Sequence, residues 1–350
     1  MKHLLLLLTL LSSTILFAQE VEEFELVKQG MAYGPKKLKN APKRVYISSF
    51  EVNYQLMLNM SETDEGGRQL GGSYRGKATA QLVLGVPGID PNKLQQLTDR
   101  LYKEYLDRLT SQGYEIVGAD KAGATEFYAD YTRLKGGEIS ESQNPGYLSS
   151  YPTGFEWYVK KINKKGRAKN SIFDTGNKLS RDLGGVIVTK VSLNLPVFEE
   201  AESQGSKMLS KTLGGLAKVV AKPNFRLAPS ISVQTGKMSG TSIPTKSTFV
   251  YFKSLKENAD VNYNIKKAIE INGVFEEKKY KAVETAQVAH SGSSIGSLSI
   301  FRVYNEVEQN IQSVECDPQA YLDGAYDVSS SYLNKSLDIF FKAAAGEKIK

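Results

Sequence analysis

The side chains able to do acid–base or nucleophilic chemistry are few in this chain. Two histidines occur, and His3 belongs to an apolar amino-terminal run, so His290 is the one imidazole expected in the working protein. It stands in AHSGSSIGS beside Ser291 and Ser293. A serine nucleophile needs a base and an orienting acid, and this stretch has neither a G-x-S-x-G turn nor an identified acid. It reads as a serine-glycine turn. A single imidazole also excludes a histidine-rich zinc site, and no metal or cofactor is expected. The glycines Gly66, Gly67, Gly71 and Gly72 lack the lysine and hydroxyl residue of a phosphate-binding loop.

Paired carboxylates of the glycosidase kind meet only in the fold, which leaves Glu51, Asp99, Glu126, Asp130 and Glu156 as candidates that are surface residues by default. Glu156 is the most suggestive, because Trp157 and Tyr158 adjoin it and Tyr147 and Tyr151 precede it. Together these five form a candidate ligand loop inside an aromatic, proline- and glycine-containing excursion over residues 140–169. A loop pinned by its own aromatics is the competing account.

The second candidate surface is the segment 206–222, SKMLSKTLGGLAKVVAK. At helical spacing Lys207, Lys211, Lys218 and Lys222 form a basic stripe, with Leu209, Leu213, Leu216 and Val220 opposite. Such a helix is either an ordinary surface helix with its apolar side on the core or one suited to an anionic membrane surface or a partner protein, and Gly214 and Gly215 cost it about 1 kcal/mol each.

Residues 1–19 carry a basic start, an apolar run of about a dozen residues and a small residue near Ala18, the pattern of a cleaved secretory signal. The remainder, 20–350, reads as a single mixed α/β domain. One cysteine, Cys316, allows no internal disulfide, so the core rests on burial alone. The excess of 45 basic over 38 acidic residues is modest and spread out, which does not suit nucleic acid.

The elements that must position these residues are organised around Lys77–Gly118. Ala80, Leu82 and Leu84 alternate as in a half-buried strand, Asp90-Pro91 opens a helix, and Leu94, Leu97, Leu101, Tyr105 and Leu109 form its apolar stripe. Gly113 closes the helix, and Tyr114, Ile116 and Val117 then form a strand expected beside the first. Upstream, Glu20–Arg44 reads as an extended arm or edge element, and Val45–Met60 as a long strand with a bulge near Ser48 and Ser49. Downstream, Asp120–Leu134 predicts a second helix, Asn177–Leu183 a short one, and Val186–Phe198 a strong strand. Further extended segments follow, and Asp317-Pro318 opens a long C-terminal helix expected to pack with the first. The fold class is therefore α/β (α+β), with a mixed sheet, further antiparallel strands and a long C-terminal helix.

The run PKRVYISSFEVNYQ, the helix QLTDRLYKEYLDRLTSQG and the strand YEIVG resemble the opening module of the curli-secretion channel family and of the TolB family's amino-terminal domain. The lipid-bearing cysteine of the channel family is missing here. The resemblance implies a noncatalytic role in assembly or export, and it would make Val186–Phe198 and its neighbours membrane-crossing hairpin strands, with ordinary half-buried sheet as the alternative. The expected function is thus a noncatalytic exported envelope protein for binding, assembly or secretion, sited in the periplasm, at the outer membrane or outside the cell. A hydrolase of envelope sugar or peptide and a carrier of an apolar ligand are the alternatives.

Overall fold

The structure, a computed structural model, describes residues 23–28, 34–64, 67–68, 74–75, 78–137, 144–162, 168–169, 176–201, 217–233, 241–283 and 311–349. The expected signal segment, the residues around His290 and most of 206–222 lie outside these. In chain order the edge strand β1 (Leu26–Lys28) leads through a 3-10 turn, Pro35–Asn40, into β2 (Arg44–Gln55) and β3 (Met57–Asp64). β4 (Ala78–Gly85) returns antiparallel to β3, and α1 (Pro91–Ser111) follows. Next come β5 (Glu115–Ile116), the short α2 (Ala119–Gly123), β6 (Thr132–Lys135), β7 (Tyr147–Ser150) and β8 (Glu156–Val159). After α3 (Gly176–Asp182) run β9 (Ile187–Leu195), β10 (Phe198–Glu200) and β11 (Lys218–Pro223). The last strands are β12 (Ser230–Val233), β13 (Thr241–Pro244), β14 (Lys246–Phe252), β15 (Asn258–Ile265), β16 (Tyr280–Val283) and β17 (Gln312–Ser313), before α4 (Pro318–Ala344).

The main sheet has the order β1-β15-β14-β9-β2-β5, with β7 also paired to β2. β2 lies parallel to β9 and β5, while the remaining pairs are antiparallel, so the sheet is mixed. The β2–β9 register shifts opposite Ser48, the bulge that the change of polarity there announces, and Ser48 Oγ donates to the Thr189 carbonyl at 3.1 Å.

Both long helices start at their Asp-Pro pairs. Asp90 accepts from the Asn92 amide at 2.9 Å, and Asp317 accepts from Gln319 and Ala320. They pack on each other and on one face of the sheet, burying Leu94, Leu101, Leu109, Tyr332, Leu337 and Phe340 against Val45, Phe50, Val52, Leu193 and Phe249. Phe249 stacks on Phe340 at 4.0 Å. A smaller cluster on the opposite face joins Tyr46, Val186 and Val188 to Ala122, Tyr128, Leu179 and Leu183.

Three expectations are corrected. Asp120–Leu134 is α2, a 3-10 turn at Glu126–Tyr128 and then β6, because Leu134 is taken up in a ladder opposite Trp157 while Tyr128 joins the smaller cluster. The strand after α1 pairs with β2, not with β4. The carboxyl end of the expected basic helix is strand β11.

Candidate functional site

The described part of the aromatic excursion packs on the sheet and on itself. β7 joins the main sheet through β2, and β8 pairs with β6. Between them Tyr151 stacks on Trp157 at 3.9 Å, Trp157 lies near-parallel to Phe155, and Tyr158 stacks on Tyr128 at 4.4 Å. Tyr147 is buried with Ala228 and Ile231. Glu156 is bound with Asp120 to the Arg133 guanidinium. The five residues of the candidate ligand loop are therefore distributed over separate contacts, with the side chains of Tyr147 and Trp157 buried. Asp99 likewise serves the excursion, accepting from the Thr153 amide at 2.7 Å and its hydroxyl at 2.8 Å.

A second polar feature was not legible in the sequence. On the sheet face turned away from α1 and α4, Asn53 and Asn194 face each other across β2 and β9 and bond at 3.1 Å. Ser149 Oγ donates to Asn53, and Asn194 donates to the Ile243 carbonyl and to Thr245 Oγ1, each at 3.1 Å. Gln55 Oε1 accepts from the Val197 and Phe198 amides. This seam satisfies polar groups that would otherwise be buried at cost. One step along the same face is Glu51, whose carboxyl is withdrawn from water although the residue is only half-buried. Burial raises its pKa, against the opposing pull of hydrogen bonds from Tyr151 and Ser149 and of the Lys190 and Lys246 charges.

The membrane-crossing reading of Val186–Phe198 is not how β9 is used. It is a central strand, paired on both sides and buried on both faces apart from Lys190. In the basic segment, Lys207, Lys211, Leu213 and Leu216 lie outside the described residues. Lys218 and Lys222 are in β11, where Val219 and Ala221 point to the core and Lys222 pairs with Glu199 at 3.0 Å.

Two smaller sheets leave the main one where β2 and β9 end. In the first, of order β17-β4-β3, the β3–β4 ladder runs through eight successive pairs, from Met57↔Gly85 to Asp64↔Ala78. The second has the order β10-β11-β16. Leu58, Met60, Leu82 and Leu84 on the first, with Val219, Ala221, Tyr280 and Ala282 on the second, belong to the common core. The outer face of the first is polar, with Gln81 donating to Asn59 at 3.0 Å and Thr63 bonded to Thr79 at 3.1 Å. Among the described residues β3 is the edge strand. Its sequence, MLNMSETD, has no proline, no lysine and no bulge, and its charge is confined to Glu62 and Asp64 at the far end.

A cleft of about 430 Å³ is lined by Lys222, Asn224, Glu270, Asn272, Glu276 and Lys278 among others, a polar and mixed-charge wall. Among the described residues no group of three or more potential ligands is placed to hold a metal, and no helix is long and apolar enough to cross a membrane. Cys316 is half-buried, and burial pushes its thiol up to about 11, away from the reactive thiolate form. No family model matches this chain, and comparison with curated proteins and with solved structures likewise finds no match.

Proposed function

We propose that this is a noncatalytic exported protein of the cell envelope whose work is assembly, and that it joins its partners by strand addition at β3. The observation that carries the reading is the outer edge of β3, whose eight residues pair with β4 without a bulge and, among the described residues, have no strand on their other side. Alternate residues of an edge strand direct their N–H and C=O groups away from the sheet, and a second extended chain satisfies them. The resemblance of the β2–α1–β5 module to curli-channel and TolB amino-terminal modules supports the same class of role. Of the candidate carboxylates, Glu156 is bound to Arg133 and Asp99 to Thr153, contacts that hold the excursion in place.

The test is photo-crosslinking in producing cells, with a crosslinking side chain at Ser61, exposed on β3, and a control at Lys93 on α1. Discrete adducts from Ser61 alone, in the envelope fraction, are expected. A chain that stays in the cytoplasm, or that gives no adduct from Ser61, overturns the proposal.

A further inference from the structure

The end of the main sheet at which β2 begins gathers lysines from three elements. The 3-10 turn Pro35–Asn40 packs against α4 and β15 and is pinned by Leu38, which is 1% exposed. With three residues per turn, Lys36 and Lys39 project on one side, and Lys37 beside them is also exposed. The Lys39 stem reaches Gly346 just past α4, where Lys342 and Lys348 are exposed. On the other flank Gly34 adjoins the Asn258 carbonyl at the start of β15, next to the turn that joins β14 to β15.

That turn carries an exposed leucine. Leu255 is 87% exposed, the one large hydrophobic side chain so exposed among the described residues. The Lys253 amide donates to the Glu257 carbonyl at 2.9 Å and the Glu257 amide to Ser254 at 3.1 Å, so the tip is a closed turn that holds Leu255 outward. Lys253 pairs with Glu257 at 3.3 Å and Arg44 with Glu115 at 3.3 Å, while Glu347 and Asp260, two residues into β15, are in no ion pair among the described residues. Among the described residues Lys36, Lys37, Lys39, Lys256, Lys342 and Lys348 make no ion pair.

Folding accounts for part of this arrangement. Lys39 and Lys342 sit at the carbonyl end of α4, where cations are favoured by the helix dipole. That leaves Lys36, Lys37, Lys256 and Lys348 without a structural task. A lone exposed leucine is ordinary. A leucine fixed at a turn tip between Lys253 and Lys256, next to uncommitted lysines, matches a bilayer surface, which offers anionic headgroups and an apolar layer just beneath them. We infer that this end of the protein docks on an anionic lipid bilayer, with Leu255 entering the interface and Lys36, Lys37 and Lys256 contacting headgroups. It goes beyond the assembly reading and is independent of it, because β3 leaves β2 at its other end.

The test is co-sedimentation of residues 20–350 with phosphatidylcholine vesicles, with and without phosphatidylglycerol. Binding is expected with the anionic vesicles alone and is lost at high salt. Each lysine near the surface contributes about fivefold, so the Lys36→Glu, Lys37→Glu, Lys256→Glu variant binds at least about a hundredfold more weakly. Leu255→Ser lowers binding about tenfold and leaves the salt dependence unchanged. All four positions are surface ones, and an unchanged thermal midpoint confirms the fold. Leu213→Ser with Leu216→Ser is the control and should bind normally. Equal binding to neutral vesicles, indifference to the triple variant, or a loss confined to the Leu213/Leu216 control overturns the inference. A lysine-dependent interaction untouched by Leu255→Ser marks a contact with any polyanion and overturns the assignment to a bilayer.

Discussion

Asn194→Ala is expected to be among the most damaging single changes that remove no apolar packing. Asn194 is fully buried near the end of β9 and links strands from four parts of the chain. Its Oδ1 accepts from Asn53, which in turn accepts from Ser149, and its Nδ2 donates to the Ile243 carbonyl and to Thr245. Truncation leaves the Asn53 amide without its acceptor and the Ile243 carbonyl without this donor. Each orphaned buried group costs about 1–3 kcal/mol, which gives a loss of about 2–6 kcal/mol. The assay is urea unfolding followed through the fluorescence of Trp157, the single tryptophan, whose stack on Tyr151 is lost on unfolding. Asn53→Ala with Asn194→Ala should cost less than the sum of the two single changes, because the second removes groups already orphaned by the first. A loss below about 0.5 kcal/mol for Asn194→Ala, or strict additivity in the double variant, would refute the view that this seam is a connected network.

Three further outcomes are expected. Leu101→Asp places a carboxylate at a site 1% exposed between α1 and the sheet and should cost more than about 4 kcal/mol, seen as loss of the cooperative thermal transition. Gly146→Ala should destabilise by more than about 2 kcal/mol in urea, since Gly146 has φ 78° and an added Cβ would strike the Met57 carbonyl at the β2–β3 junction. Glu51→Gln should stabilise the protein at neutral pH. The folded pKa of Glu51 is raised, so its protonated form fits the fold, and that stability is present below the unfolded value of about 4.3 and lost as pH rises through the folded value. The gap in urea midpoint between variant and parent should therefore close as pH falls towards 4 and widen above it; a constant gap contradicts the assignment.

What was legible in the sequence is what is decided locally. Asp90-Pro91 and Asp317-Pro318 fix the starts of α1 and α4, because a side-chain acceptor and a residue without an N–H act within one turn. The apolar stripe of α1 and the break at Ser48 are also properties of a few neighbouring residues. Pairing is different. Glu115–Ile116 could not be assigned to β2 from its own residues, since a two-residue strand carries no register information and its partner lies some seventy positions earlier. Asp120–Leu134 failed for a related reason. Ala124, Phe127, Tyr131 and Leu134 fit a helical period, yet Leu134 is used in the β6–β8 ladder and Tyr128 on the small cluster around Tyr46.

The basic segment shows why the candidate site was the hardest part to read. Lys218 and Lys222 are four apart, and a spacing of four returns to the same side in a helix and in a strand alike. Only Val219 and Ala221, on the opposite parity, separate the two periods, and in the sequence they were outweighed by leucines further back. In the structure they face the core while Lys222 turns to Glu199 on β10, so the stripe there is one side of a strand. The lysines that gather beside Leu255 without an ion pair are elsewhere, at 36, 37, 256 and 348, and they are far apart in the chain. No window of sequence contains them together. Strand order and the packing of the 3-10 turn between α4 and β15 bring them to one end beside Leu255. A surface assembled this way is a property of topology, and it is recognisable only once each nearby charge has been assigned to a partner or found without one.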